Sequence, residues 1–304
     1  MSYRLISQSL YEKYHAADRD IKTSVTSSYW DAHGQNVTVK NQDGNLQHNN
    51  PGFISAQRST TFRKLLNLPI RILLHSLLKK YEARGSTIDK AKLAVNAQKV
   101  LFEFNHAKQV LIYDLISSFG LFSAPRTVCI IGDGYGFLGS LIKLANPETR
   151  LIFVNLGRNL LIDLLGFQKV HPESSPVLAS SKKDIHAVTA DATVFLEAEK
   201  FELLSNSTIS LFINIASMQE MDHNIIERYF RYMRSSRDRP YFYCCNREEK
   251  MLLNGEKIRF LDYPWGGSEI MLDEICAFYK SYPSVLPPVW RPFDGPHRHR
   301  LVRL

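Results

Sequence analysis

The sequence predicts an α/β fold: a doubly wound, mostly parallel sheet of seven strands, preceded by a mostly helical extension. Three observations carry that expectation. From residue 126 onward, short apolar runs alternate with helical stretches of about 10–15 residues. The first run, RTVCIIG (126–132), ends in glycine, as a buried parallel strand entering a tight turn should. The 304 residues are 44% apolar and 22% charged, enough for a core of ordinary size.

The elements follow in order. Residues 1–60 are polar and carry turn signals without periodicity, so an irregular segment is expected. Residues 61–82 have helical spacing, with Leu73, Leu74, Leu77 and Leu78 on one side and Pro69 forcing a start or a kink. Residues 88–120 read as a further helical region closed by Gly120. The boundary therefore falls between a helical region, 1–120, and a Rossmann-like domain, 121–304. Within that domain, strands are expected at 126–132, 150–156, 184–190, 208–217 and 239–247. Helices are expected at 137–146, 157–170, 192–204 and 223–236, with a loop at 171–183. Two final strands are read at 256–265 and 297–304, separated by a segment rich in proline and aromatics.

Composition narrows the function classes. A formal charge of +8 favours anionic partners without choosing among them. The four cysteines, Cys129, Cys244, Cys245 and Cys276, form no CxxC and no zinc spacing, so no metal is expected and a reducing compartment fits. Cys244 and Cys245 should point to opposite faces of a strand. The start of the chain lacks the apolar core of a signal peptide, and no run approaches the ~20 apolar residues of a membrane span. A cytoplasmic protein is expected.

The turn V128-C-I-I-G-D-G-Y-G-F-L-G139 holds two glycine signatures. Gly132, Gly134 and Gly136 spell GxGxG; Gly134, Gly136 and Gly139 spell GxGxxG. In either reading, backbone amides at the strand–helix turn should face the ligand. A dinucleotide site starting at Gly132 would need its third glycine at residue 137, for close helix–sheet packing. That residue is Phe137. Starting at Gly134 leaves three extra residues after the strand, so the tail ending at Gly139 reads as accidental. The GxGxG register suits S-adenosylmethionine, whose amino-acid arm carries a carboxylate and no pyrophosphate. A glycine-rich turn without a ligand is the bland alternative.

At this point the chain resembles S-adenosylmethionine-dependent methyltransferases of the seven-strand type, and more narrowly the bacterial sugar O-methyltransferases. The likeness lies in IIGDGYGFLGSLI (130–142), FINIASMQEMDHNIIERYF (212–230), FYCCNREEKMLLNGEKIRFLDYPW (242–265) and FDGPHRHRLVRL (293–304). It implies a donor site on Gly132, Asp133, Gly134, Tyr135 and Gly136. It places Asn155 where the family usually has an acid for the ribose hydroxyls, and Asp191 and Ala192 near the adenine. Asn214, Ser217 and Glu220 follow the fourth strand and should line the cleft. Asn-Ile-Ala-Ser there argues against base methylation of nucleic acid. A sugar hydroxyl needs its proton removed, and His223 and Glu220 are the candidate bases. Arg247 is a candidate for an anionic sugar or a sugar-nucleotide phosphate, and Tyr263 and Trp265 are candidate stacking faces.

Three other readings compete. A nicotinamide-dependent oxidoreductase is opposed by Phe137 and Asn155. A non-catalytic or RNA-binding protein on a degenerate methyltransferase fold draws on the charge and on Asn155, but no basic stripe with interleaved aromatics is present. The basic, leucine-rich stretch 62–81 offers peripheral contact with an anionic membrane, against a plain packing helix.

Overall fold

The computed structural model describes residues 38–42, 45–49, 67–124, 126–186, 192–284 and 287–304. The chain opens with a two-stranded ladder, β1 (Thr38–Gln42) and β2 (Asn45–Asn49), antiparallel and in register from Thr38 opposite Asn49. Within the stretch expected to be irregular, residues 1–60, these two strands are regular, and the rest of that stretch lies outside the described residues. Asp43-Gly44 lies between the two runs in sequence, and that pair favours a two-residue hairpin turn.

Three helices follow: α1 (Leu68–Lys80), α2 (Gly85–Gln98) and α3 (Phe104–Ser118). Pro69 sits in the first turn of α1, where its missing N–H costs nothing. Ile70, Leu74 and Leu78 are the buried stripe of α1. The region read as one helical stretch, 88–120, is two helices. Lys99 adopts a left-handed φ of 58°, and its N–H closes α2 on Val95 and Asn96.

The alternating part runs β3 (Thr127–Ile131), α4 (Phe137–Ala145), β4 (Arg150–Asn155), α5 (Gly157–Val170), β5 (Pro176–Ala179), α6 (Lys182–His186), β6 (Thr193–Glu197), β7 (Leu211–Ile215), α7 (His223–Arg234) and β8 (Tyr241–Arg247). A hairpin, β9 (Glu249–Met251) and β10 (Lys257–Arg259), precedes β11 (Glu269–Ile275). A second short pair, β12 (Ser281–Pro283) and β13 (Trp290–Pro292), precedes β14 (His297–Arg303).

The central sheet has eight strands in the order β11-β14-β8-β7-β3-β4-β6-β5. From β5 to β8 all pairings are parallel, and β14 runs antiparallel to both its neighbours. This is a Rossmann-like α/β fold, and β5 adds an eighth, outer strand to the seven expected. The order reverses at β3, between β4 on one side and β7 on the other, which opens a crevice at the carboxyl ends of these strands.

Side-chain alternation divides the core in two. Val128, Ile130, Phe153, Tyr243 and Cys245 face the helices α1–α5. Cys129, Ile131, Val154, Phe242 and Cys244 face α7 and the β9–β10 hairpin. Cys244 and Cys245 thus lie on opposite faces. All four cysteines are buried and unpaired.

Two expected elements shift. The third inner strand is β6 (Thr193–Glu197), inside the stretch read as a helix, and Lys182–His186 is helical where a strand was read. All five residues of β6 are buried. A strand covered on both faces shows no alternation, so its apolar run cannot be told from a helix by periodicity. The sixth strand is β11 rather than 256–265, whose Lys257–Arg259 pairs only with β9. β11, EIMLDEI, is exposed on most of its length and does not alternate apolar with polar residues, so it did not read as a strand.

Gly139 is not accidental. On α4 it lies against Phe153 of β4, and a Cβ at this position would run into that ring. Phe153 is itself locked against Phe195 and Phe167. Close helix–sheet packing, sought at residue 137, occurs two residues later. No helix among the described residues is long and apolar enough to cross a membrane.

Candidate functional site

The crevice at the reversal point holds a cleft of about 290 Å³. One wall is the β3–α4 turn. Gly132, Gly134 and Gly136 have φ of 75°, 87° and 66°, a region that only glycine enters without strain. Gly132 continues the sheet, its N–H donating to the Val154 carbonyl at 2.8 Å. A Cβ on Gly132 would strike Ser217, and one on Gly136 would strike the Asp163 backbone. Gly132 and Gly134 line the cleft, and Gly136 packs against α5 instead.

Two carboxyls organise this turn from within. Asp133 accepts the N–H groups of Leu138 (3.2 Å) and Gly139 (2.8 Å) at the start of α4, where the helix dipole favours an anion. Asp163 on α5 accepts the Gly136 N–H at 3.1 Å, the Gly134 N–H, and the Asn155 amide at 2.8 Å. Burial pushes both carboxyls up, Asp133 to about 6 and Asp163 further, with Asp133 adding repulsion. The amides expected to face a ligand are therefore turned onto the protein's own carboxyls.

Asn155, at the end of β4, lines the cleft but is engaged at both ends. Its Oδ1 accepts the Leu156 N–H at 2.9 Å while its Nδ2 holds Asp163. One turn into α5, Asn159 is buried and lines the same wall. Sequence reading missed it, although it lies four residues beyond Asn155 on the following helix. Asp191 lies outside the described residues. Ala192 is buried just before β6 and does not line the cleft.

Asn214, expected in the cleft, is instead a buried strut. It donates to the Ile131 carbonyl (2.9 Å) and to Ser217, and accepts from the Met218 N–H (3.1 Å) and Asn246 (2.8 Å). These bonds hold the β7 turn against β3. Ala216, next to it, has a φ of 57°, costly for a residue with a side chain, and lines the cleft. Ser217 and Glu220 line it too, and Glu220 forms an ion pair with Lys250 at 2.9 Å.

Four expected residues lie elsewhere. His223 starts α7, its backbone N–H donating to Glu256 at 3.0 Å, and does not line the cleft. Arg247 is also outside the lining, 3.8 Å from Asp294. Tyr263 and Trp265 are buried among Phe230, Phe242 and Phe260, and the Trp265 indole donates to the Phe260 carbonyl at 2.7 Å. They are core on the α7 face, so they offer no ring for a substrate to stack on.

The opposite wall was not foreseen. Asn105, His106, Lys108 and Gln109 of α3 line the cleft with Tyr279. His106 Nδ1 accepts the Glu103 N–H at 3.0 Å, which leaves Nε2 as the protonated nitrogen of a neutral ring. Burial lowers its pKa to about 3. Lys108 is buried with its ammonium over the Tyr279 ring, and burial lowers its pKa to about 7. One signal was available: Phe104, Lys108 and Ile112 share a helix face, so a lysine interrupts the apolar stripe of α3. Among the described residues, no group of three or more His, Cys, Asp and Glu is placed to hold a metal ion.

No protein-family model matches the chain, and no curated protein matches it in sequence. Solved structures do resemble it. Mitomycin 7-O-methyltransferase MmcR is 11% identical, covering 81% of this chain and 76% of its own, with a TM-score of 0.38. TehB from Haemophilus influenzae is 11% identical over 63% of this chain and 61% of its own, at 0.39. Methyltransferase CalO6 is 12% identical over 62% of this chain and 60% of its own, at 0.37. Likeness of this degree concerns the path of the chain alone.

Proposed function

We propose that this chain is an S-adenosylmethionine-dependent O-methyltransferase whose acceptor is a sugar hydroxyl, on a nucleotide-activated sugar or a surface glycan. The observation that carries the donor is the pair Asp133 and Asp163. A pyrophosphate needs free backbone amides and positive potential at the turn. Here the Gly134, Gly136, Leu138 and Gly139 amides already serve two carboxyls. With those amides occupied, the turn has none of them to offer a pyrophosphate, which suits a donor that carries no such group. Bound there, S-adenosylmethionine would supply an electrophilic methyl group.

Asp133, Gly134, Tyr135 and Asn159 would hold the donor, with Asn155 fixing Asp163 behind them. The uncharged amide of Asn159 takes the place of the missing acid beside the ribose. On the acceptor side, Glu220 is the carboxylate that lines the cleft, and Lys250 fixes its position. It is the base this reading assigns, in place of His223. The sugar acceptor draws its support from the sequence likeness over residues 212–304.

Calorimetric titration with S-adenosylhomocysteine, NAD and NADP tests the donor. Binding of the first alone is expected. Binding of a dinucleotide would overturn the assignment, and binding of none would favour a degenerate fold acting through a macromolecular partner.

A further inference from the structure

The α3 wall of the cleft carries charge that no described residue neutralises. Lys108 is 4% exposed and lines the cleft. Its Nζ lies 3.5 Å from the ring centre of Tyr279, 4.8 Å from Phe104 and 5.8 Å from Phe293. No carboxylate among the described residues pairs with it, and the titratable groups whose charges bear on it include Cys245, Cys276 and His297. Aromatic faces offset part of the cost of burying an ammonium, but less than a carboxylate would.

The surroundings add to the imbalance. His297 stacks on Tyr279 at 3.8 Å, and its buried Nδ1 has no partner. Lys108, Arg247 and Lys250 all bear on that ring and, with burial, hold it neutral. Against these cations stand two carboxylates. Glu220 is matched by Lys250, and Asp294 is fully exposed and 3.8 Å from Arg247. Lys108 is left without a counter-charge in a cleft that opens onto it.

We propose that the acceptor carries an anionic group, a carboxylate or a phosphate, that seats against Lys108 at the α3 end of the cleft. The group brings the missing counter-charge and fixes which hydroxyl of the acceptor lies toward Glu220 and the methyl donor. The word acceptor rests on the methyl-transfer reading above; the anion contact does not, and is read without donor or turnover.

The test follows Lys108 itself by NMR in protein labelled at lysine, assigned by comparison with Lys108→Met. Sodium glucuronate and glucose 1-phosphate are the anionic probes, and methyl glucoside is the neutral one. At least one anionic probe should raise the titration midpoint of Lys108 by about one unit or more, as a close opposite charge does. Methyl glucoside should leave it unchanged. Calorimetry at pH 7 should show that probe binding about tenfold or more weaker to Lys108→Met. A response to glucuronate alone assigns a carboxylate, and to glucose 1-phosphate alone a phosphate. If neither anion moves Lys108, or if both bind the variant as tightly as the wild type, the proposal falls. The wild-type titration stands even if the variant fails to fold. Failure of S-adenosylhomocysteine to bind the wild type would sink the donor reading alone.

Discussion

The two ends of the cleft are built in opposite ways. The glycine-turn end comes from neighbouring stretches, residues 131–137 and 154–159, joined by two strand–helix turns. Its Gly134, Gly136, Leu138 and Gly139 amides meet Asp133 or Asp163, inside the protein. The α3 end gathers α3, the turn after β7 and Tyr279 from distant parts of the chain. Its key cation, Lys108, pairs with no carboxylate among the described residues. A preorganised end can bind the same small ligand in every homologous site, whereas an end left electrostatically open is completed by whatever it selects.

Substitutions can break or sharpen this contrast. The largest effect is expected from Gly136→Val. Its Cβ would collide with the Asp163 backbone at a φ of 66°, so ~3 kcal/mol or more of stability should be lost, read as a lower urea midpoint. A variant of wild-type stability would remove the packing role given to this turn. Next comes Glu220→Gln, which should cut turnover by ~10²-fold while sparing S-adenosylhomocysteine affinity. Equal losses in both would place Glu220 at the donor end.

Lys108→Met should stabilise the protein at pH 7 by about 1–3 kcal/mol, since it removes an unpaired buried charge. The sign follows from the lowered pKa. The cost of the lysine is absent above its unfolded value of ~10.4, grows as pH falls, and is complete below about 7. Thermal melts at pH 7 and pH 10 should therefore differ in the gap between variant and wild type. A gap independent of pH would mean that burial does not shift the amine's pKa.

A smaller effect belongs to Asp133. Its raised pKa contributes stability that is full below the unfolded value of ~3.9 and is lost as pH rises through about 6. Asp133→Asn should flatten the stability profile between those values, and an unchanged slope would contradict the buried pair. The smallest effect is expected from His223→Ala, which lies outside the cleft and should leave turnover unchanged.

What was legible in the sequence follows the same division. The β3 strand, its glycine turn and α4 could be read because a parallel strand feeding a helix is a local pattern. Ser217 and Glu220 were found because the carboxyl end of β7 had to reach the crevice. β6 was misread because full burial erases alternation, and β11 because its run Ile270-Met271-Leu272 does not alternate either. Tyr263 and Trp265 looked like a stacking platform, yet nothing local distinguishes an aromatic in the core from one in a cleft. Lys108 and Tyr279 lie 171 positions apart by their numbers, and only the folded sheet brings them together.

β14 is laid between β8 and β11, both of which are synthesised before it. Until residues 297–303 leave the ribosome, those two strands present bare edges to any other chain nearby. Long-range closure of this kind is slow. Over that interval the glycine turn has all its partners, while Tyr279 still lacks the His297 ring on which it rests. The nascent chain would thus complete the glycine-turn end of the cleft before the α3 end that faces it.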